Sequence, residues 1–252
     1  MLHILRTIGK QLARYLSKPR PSAQTGMPAQ PDKLLRCLRP GDVLLVEGSS
    51  RISTVIKYLT QSTWSHAAFF VGPQLGGVDK RGEPYLFVEA DVVRGVCKRP
   101  LSHYQSFHTR ICRASHLSDA DRDRLLHAVM GKIGEQYDLK NVFDLARYLF
   151  PAPPVPGRWR RKMIALGSGD PTRAICSSLI AEVFQSVGYP VLPMITIDRK
   201  EDPKRHRAVT EEIYHIRDRS LYAPRDFDVS PYFEIVKPTL VAGFDYRRIH
   251  WE

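Results

Sequence analysis

The pattern of apolar and polar positions divides the chain into a strand-rich first part and a helical second part. A short apolar run, Val43 to Val46, follows the turn Arg39-Pro40-Gly41-Asp42, and a longer one extends from Trp64 to Gly72. Uninterrupted apolar runs of this length, bounded by turn residues, are typical of buried strands. The same patterns predict further strands over 85–89, 95–98 and 109–113, and a short helix over 52–59.

Helical periodicity begins after these strands. Ser118, with Asp121 three residues later, is a favourable N-cap for a helix that continues to Ile133. A second helix is predicted between Asp138 and Pro151, and a third from Cys176 to Val187. Strands followed by helices, without regular alternation, predict an α+β fold in which a sheet packs against helices.

A different pattern occupies the start of the chain. Over residues 1–20 an apolar stripe at helical spacing lies beside a basic stripe made of Arg6, Lys10, Arg14 and Lys18. Such a basic amphipathic helix is suited to an anionic membrane surface; a helix docked on the domain and a frayed terminus are the alternatives. Residues 21–33 are rich in proline and predict a linker, so a single domain is expected over 34–252, with a Pro/Arg-rich insertion at 151–173.

Composition adds a strong basic bias to this picture. The 252 residues are 43% hydrophobic and 25% charged, as in ordinary globular proteins, but the net charge is +12. Most of the excess lies in residues 1–36 and 158–173, where Arg158, Arg160 and Arg161 flank a tryptophan. This second basic segment suits anionic headgroups or phosphates, or it is a solvated loop. No recognition-helix signature is present, so nucleic acid is not expected as a partner.

The apolar runs and the cysteines indicate where the protein is located and whether it binds a metal. No run approaches the roughly 18 apolar residues of a spanning helix, and charges interrupt any secretory signal. We therefore expect a cytoplasmic protein, either free or peripheral on the inner membrane face. The four cysteines form no zinc-type pair, and the spacing of Cys97, His103, His108 and Cys112 matches no common zinc pattern. The sequence predicts neither a metal nor another cofactor.

Cys176 is the most informative single position for chemistry. It lies in the first turn of the third predicted helix, on the same face as the apolar residues Leu179 and Ile180. A thiol there experiences the positive end of the helix dipole, which favours the nucleophilic thiolate. The unpaired N–H groups of the same turn can stabilise an oxyanion. The alternative is a small buried apolar residue, the commonest role of a free cysteine.

His66 and Glu89 are the candidate partners of this thiol. Alternation along the second apolar run places His66 on one face with Trp64, Ala68 and Phe70. An imidazole in such a strand is either a base or a core histidine with a satisfied hydrogen bond. If the strand carrying Glu89 pairs with it, this carboxylate can orient the ring, with Asp91 as the competing candidate; solvated strand ends are the alternative for both.

Several short motifs, taken in order, resemble one family. They are Arg39-Pro-Gly-Asp42, Trp64-Ser-His66, Phe87-Val-Glu-Ala90, Tyr137-Asp138, Ile175-Cys-Ser-Ser178 and the closing Tyr222-Ala-Pro-Arg-Asp226 with Ser230-Pro231. Together they are similar to the YiiX/YebB-like, permuted NlpC-type (papain-like) cysteine hydrolases, over residues 36 to 236. The resemblance implies a circularly permuted papain-like fold, with an antiparallel sheet against helices and the nucleophile at a helix N-terminus. It implies Cys176 as nucleophile, His66 as base, Glu89 as the residue that orients His66, and Tyr137 as a support for the oxyanion.

The resemblance also implies an activity. We expect a cysteine hydrolase of the amidase or peptidase type that cleaves an amide or ester through an acyl-cysteine intermediate. The substrate is a small-molecule, peptide or lipid-linked acyl compound. An acyltransferase on the same fold and a non-catalytic protein that binds a membrane surface are the alternatives.

Overall fold

The computed structural model describes residues 30–136, 175–202, 207–218, 221–241, 243 and 245–248, together with Lys18 and Pro28. The chain folds as a mixed α+β protein with an antiparallel sheet packed against helices. Six strands form the main sheet: β1 (Val43–Val46), β2 (His66–Phe70), β3 (Tyr85–Asp91), β4 (Gly95–Pro100), β5 (Thr109–Ala114) and β8 (Phe233–Val236). The order across this sheet is β4-β3-β2-β1-β5-β8, and each neighbouring pair is antiparallel.

Helices and a ribbon complete the described structure. The helices are α1 (Pro31–Cys37), α2 (Arg51–Thr60), α3 (Asp119–Gly131), α4 (Ile175–Ser186), α5 (Pro224–Asp228) and α6 (Pro238–Val241). Three 3₁₀ turns occupy Pro73–Leu75, Leu101–Tyr104 and Tyr246–Arg248. A two-stranded antiparallel ribbon, β6 (Met194–Asp202) and β7 (Arg207–His215), forms a separate small sheet.

The main sheet is buried on both faces because its central strands alternate between two apolar clusters. On one face, Ala67 and Phe69 of β2 pack against α4, where Phe184 lies 6.1 Å from the Phe69 ring. On the other face, Ala68 and Phe70 belong to a cluster that includes α1 and the turn at Leu101–Tyr104. This two-sided burial explains why β2 has a continuous apolar sequence rather than an alternating one.

Two local devices support the predicted element boundaries. Ser118 caps α3, and its hydroxyl accepts a hydrogen bond from the backbone N–H of Asp121. The turn before β1 is fixed by buried Asp42, which accepts a backbone hydrogen bond from Arg39 at 2.8 Å and two from the Arg113 guanidinium. Burial raises the pKa of Asp42, although the hydrogen bonds from Arg113 and Arg39 oppose that rise.

The structure differs from the sequence prediction in three places. Helix α1 begins at Pro31, inside the segment predicted as a linker, and the long ribbon β6–β7 replaces the short strands and loops expected after α4. Trp64 does not share the face of Ala68 and Phe70: it packs in the cluster that contains α4. Strand β2 begins only at His66, so the alternation does not extend back to Trp64.

Some predictions lie outside the described residues. They concern the basic helix with Arg6, Lys10 and Arg14, the helix predicted after Asp138, and the Pro/Arg-rich insertion with Arg158, Arg160 and Arg161. Lys18, the last residue of the basic stripe, is described and exposed. Among the described residues, no helix combines the length and apolar character needed to cross a membrane.

Candidate active site

Antiparallel pairing of β2 with β3 creates the candidate site. Phe69 and Phe70 lie opposite Val88 and Phe87, so the start of β2 lies beside the end of β3. His66 is the first residue of β2 and Glu89 the fifth of β3. The pairing therefore brings an imidazole and a carboxylate, 23 positions apart in the sequence, to one end of the sheet.

A short hydrogen bond joins these two side chains. Nε2 of His66 lies 2.7 Å from Oε2 of Glu89. Because Glu89 is 2% exposed and ionised, Nε2 carries the proton of this bond. The second ring nitrogen, Nδ1, is then available to another side chain that interacts with His66. That side chain is Cys176, which interacts with His66 through a hydrogen bond and through charge.

Cys176 reaches His66 because α4 packs against β2 and β3. It is the second residue of α4 and is 4% exposed. Leu179, Ile180 and Val183 follow it on the buried face and anchor the helix in the larger apolar cluster. The first turn of a helix carries partial positive charge, which favours an anionic sulfur.

Glu89 is held by more than the histidine. Its Oε1 accepts a hydrogen bond from Nε of Arg99 at 2.5 Å, and its Oε2 accepts one from the hydroxyl of Tyr104 at 2.6 Å. His103 lies farther away, with Nε2 3.8 Å from Oε1. A buried carboxylate with this many donors has a fixed orientation, which in turn fixes the plane of the His66 ring.

Charge at the site favours an ionised carboxylate and a protonated imidazole. Burial raises the pKa of Glu89, but His66, Arg99 and His103 outweigh it and hold that pKa far below the usual range. Burial lowers the pKa of His66, but the negative charges of Cys176 and Glu89 and their hydrogen bonds raise it well above the ordinary value. The arrangement favours a protonated imidazole that interacts with Glu89 and Cys176, and an imidazolium is the partner that an active cysteine nucleophile requires.

Asp91, the competing candidate, has another role. Its Oδ1 accepts hydrogen bonds from the backbone N–H groups of Val93 and Arg94, both at 2.8 Å, and so forms the turn between β3 and β4. Its Oδ2 accepts a hydrogen bond from Arg99 at 3.1 Å. Asp91 therefore supports the site through Arg99, and Glu89 is the carboxylate that contacts the imidazole.

The other cysteines differ from Cys176 in their surroundings. Cys112 is completely buried in β5, and burial raises its pKa strongly. Burial also raises the pKa of Cys97 to about 11, despite the opposing charge of Arg99. Among the described residues, no group of three or more histidine, cysteine or acidic side chains is placed to hold a metal ion.

A polar cavity of about 550 Å³ opens beside the loop that precedes His66. Buried Glu47 lies there, with its Oε2 3.1 Å from Nδ1 of His108 and its Oε1 3.4 Å from Nζ of Lys57. Trp64 forms part of its wall: its indole N–H donates to Asp228 at 3.0 Å, and Arg110 covers its ring. These contacts fix the chain just before the candidate base.

Sequence analysis missed Arg99, Tyr104 and His103 as parts of the site. A signal for Arg99 existed, because a tight turn between β3 and β4 places Cys97 opposite Glu89 and Arg99 on the same face two residues later. No comparable signal existed for Tyr104, which reaches Glu89 from the 3₁₀ turn after β4. Tyr137, the predicted oxyanion support, lies outside the described residues.

Comparisons with known proteins give limited information. No protein-family model matches this chain. No curated protein matches it either. Among solved structures, it is similar to the metalloprotein YiiX of Escherichia coli O157:H7, with a TM-score of 0.44, 16% sequence identity, and coverage of 80% of this chain and 97% of that chain. At this level of similarity the assignment of function depends on the geometry of the site.

Proposed function

We propose that the protein is a cysteine hydrolase that cleaves an amide or ester through an acyl-cysteine intermediate. Cys176 is the nucleophile, His66 the general acid and base, and Glu89 the positioning residue for His66. One observation carries the proposal: the imidazole of His66 interacts with both the carboxylate of Glu89 and the thiol of Cys176. An imidazole oriented on one nitrogen and facing a nucleophile with the other is the arrangement that acyl transfer requires.

The reaction proceeds in two steps. The Cys176 thiolate attacks the acyl carbonyl carbon and forms a C–S bond, while the carbonyl π electrons move to the oxygen. As the tetrahedral intermediate collapses, the bond to the leaving group breaks, and the imidazolium of His66 protonates the departing amine or alcohol. Water then attacks the thioester with His66 as base, the C–S bond breaks, and the carboxylic acid and the thiolate are released.

The order of the two residues supports the fold that the sequence resembles. The base, His66, lies on a strand that precedes the nucleophile helix α4 in the chain. That order is expected of a circularly permuted papain-like enzyme, and we extend the proposal to this fold. An amine or alcohol in place of water in the second step makes the same site an acyltransferase, and the substrate remains a small-molecule, peptide or lipid-linked acyl compound.

Trapping of the intermediate tests the proposal directly. We expect p-nitrophenyl esters of increasing acyl length to acylate the full-length protein, and intact and peptide mass spectrometry to locate the acyl group on Cys176. The variants Cys176→Ala and His66→Gln should lose rapid acylation. Cys97→Ala is the matched control, because that thiol lies nearby in β4, opposite Glu89, and has a raised pKa.

The outcomes separate the alternatives. Release of the acyl group to water identifies a hydrolase, and faster release to added amines identifies a transferase. Acylation spread over several cysteines, or an undiminished rate in His66→Gln, would contradict the assignment of this pair. Circular dichroism of each variant ensures that a lost rate is not a lost fold.

A further inference from the structure

A basic groove lies along the outer side of the site, at the edge of the main sheet. It has a volume of about 770 Å³ and follows the edge strand β4 between the loop after the first 3₁₀ turn and the turn at Leu101–Tyr104. Its cationic lining residues are Lys80, Arg81, Arg94, Lys98 and Arg99. Arg99 and His103 belong both to this groove and to the surroundings of Glu89.

The positive charge of the groove is poorly balanced within the described part of the chain. The groove contains two carboxylates, and both are already engaged. Asp79 accepts the backbone N–H groups of Arg81 and Glu83, and Asp91 accepts two backbone N–H groups and Arg99. Lys98 donates to the carbonyl oxygens of Leu75 and Gly76. No described carboxylate forms an ion pair with Lys80, Arg81 or Arg94.

Arg99 gives the groove a fixed, buried donor at its inner wall. The residue is 7% exposed, its Nε donates to Glu89 and one terminal nitrogen donates to Asp91. A guanidinium has five N–H donors in a planar fork. Within the described structure Glu89 and Asp91 are its hydrogen-bond acceptors. The guanidinium therefore has further N–H donors, and Arg99 is among the residues that line the groove. Lys80, Arg81 and Arg94 are exposed, whereas the Arg99 guanidinium is buried and held by two carboxylates. Exposed cations around a fixed guanidinium form an arrangement suited to an oxyanion.

We propose that this groove binds a phosphate-type oxyanion carried by the substrate. The inference that the oxyanion belongs to a substrate rests on the proposed function, whereas the binding itself does not. The anion bridges Arg94 and Lys80 at the mouth and contacts Arg99 at the inner wall, and so holds the molecule beside the Glu89–His66 pair. The phosphate group belongs either to a soluble molecule or to a lipid headgroup, and the two sources share this recognition.

Protection of an edge strand is the competing explanation for these charges. Exposed lysine and arginine side chains on an edge strand prevent it from pairing with another chain. That explanation predicts only diffuse counterion attraction, with neither saturation at one site nor dependence on particular side chains. The two explanations therefore differ in a measurable property.

The test uses full-length Cys176→Ala protein, so that binding is measured without turnover. Calorimetric titration with inorganic phosphate and with pyrophosphate should show saturable binding to one site, weaker at 200 mM than at 50 mM sodium chloride. Arg94→Gln should weaken pyrophosphate binding about tenfold, because it removes a charge-assisted contact. The double variant Lys80→Gln/Arg94→Gln removes a second such contact and should weaken binding further. Lys33→Gln/Arg36→Gln in α1 removes the same charge elsewhere and should bind like the parent.

Two further experiments locate the binding site and identify whether the phosphate group comes from a soluble molecule or from a lipid. Pyrophosphate should slow acetylation of Lys80 and Lys98, measured by peptide mass spectrometry, but not that of Lys33. Phosphatidylglycerol vesicles, compared with phosphatidylcholine vesicles, test the lipid source: competition by pyrophosphate and loss of binding in Lys80→Gln/Arg94→Gln place the headgroup in the groove. Pyrophosphate binding without vesicle binding indicates a soluble substrate.

Other results overturn the proposal. They are absence of saturable binding to both probes, and equal weakening of pyrophosphate binding by the α1 control pair. Acylation of Cys176 does not enter any of these measurements. A lack of anion binding in the groove therefore does not contradict the proposed hydrolase. A lack of Cys176 acylation likewise does not contradict anion binding.

Discussion

Nε2 of His66 lies 2.7 Å from Oε2 of Glu89, across the pairing of two adjacent strands. Neither side chain lies at the surface as an ordinary strand-end charge: Glu89 is 2% exposed, and the His66 side chain is 27% exposed. A buried carboxylate costs free energy unless charge and hydrogen bonds compensate it. Here Arg99, Tyr104 and His66 compensate it, and the result is an imidazole with a fixed orientation.

The Glu89→Gln substitution tests the orienting role of the carboxylate. Removal of its negative charge lowers the pKa of His66 and so weakens the imidazolium that the proposed mechanism pairs with Cys176. We expect iodoacetamide alkylation of Cys176 at pH 6 to slow by about tenfold, the equivalent of about one pKa unit at His66. The measurement is the alkylation rate against pH, with peptide mass spectrometry to identify the labelled thiol.

Asp91→Asn is the matched control for this substitution. It removes one carboxylate from the same strand and from the same arginine, but not from His66. Its alkylation profile should follow that of the wild type. Equal slowing in both variants would assign the effect to Arg99 rather than to the Glu89–His66 contact, as long as circular dichroism shows both proteins folded.

Stability should depend on pH in opposite directions on the two sides of the pair. The pKa of Glu89 in the folded protein is depressed below the ordinary 4.5. Its contribution to the free energy of unfolding is therefore present above pH 4.5 and is lost as the pH falls through the folded pKa. The pKa of His66 in the folded protein is raised above the ordinary 6.5. Its contribution to the free energy of unfolding is therefore full below pH 6.5 and is lost as the pH rises through the folded pKa.

Urea unfolding at several pH values checks this dependence. The free energy of unfolding lost in His66→Gln should be largest near pH 5.5 and smaller at pH 9. A loss of equal size at both pH values would show that the contact stabilises the fold without its charge. The same series with Glu89→Gln should show a flatter acid limb than the wild type.

Ser177 ties the nucleophile helix to the closing segment of the domain. It is completely buried, and its hydroxyl donates to the carbonyl oxygen of Tyr222 at 2.7 Å. Ser177→Ala leaves that buried acceptor without this donor, and we expect a loss of about 1–3 kcal/mol in the free energy of unfolding. Ser186→Ala, at the other end of α4, should change the free energy of unfolding by less than about 0.5 kcal/mol. A similar loss in both variants would contradict a stabilising role of the Ser177–Tyr222 hydrogen bond.

Gly48 lies near the site, where the first turn of α2 closely approaches the loop before β2. A Cβ at this position would stand 2.8 Å from Oγ of Ser65 and still nearer to Oγ of Ser53. Gly48→Ala should therefore cost about 1–3 kcal/mol and, since Ser65 precedes His66, slow the alkylation of Cys176. Thermal unfolding and alkylation rates provide the two measurements.

Gly131 in α3 is the control for this glycine. Apart from its chain neighbours and the backbone of its own helix, no described atom lies within 4 Å of a Cβ built there. Gly131→Ala should stabilise the protein by roughly 0.5–1 kcal/mol, because alanine loses less conformational freedom in a helix. Destabilisation of similar size in both variants would show that the packing around Gly48 is not the cause.

Local sequence determined most of the strands and helices near the site. The apolar runs placed β1 and β2 within two residues of their observed positions, and the Ser118 cap marked the start of α3. These features depend on interactions between residues close together in the chain, which is why one sequence is sufficient. The ribbon β6–β7 escaped prediction because its nine-residue strands contain many charged residues and little of the alternation that marks a half-buried strand.

The sequence by itself determined that a thiol begins a helix, that an imidazole enters an apolar strand and that two carboxylates compete to orient it. Only the tertiary structure shows which of them contacts the imidazole: it is Glu89, because strand register brings it to His66 and a turn engages Asp91. It also supplied Arg99 and Tyr104, which reach Glu89 from β4 and from the turn that follows it. Long-range pairing, rather than local propensity, fixes these contacts, since each joins residues from separate elements whose approach no single segment encodes.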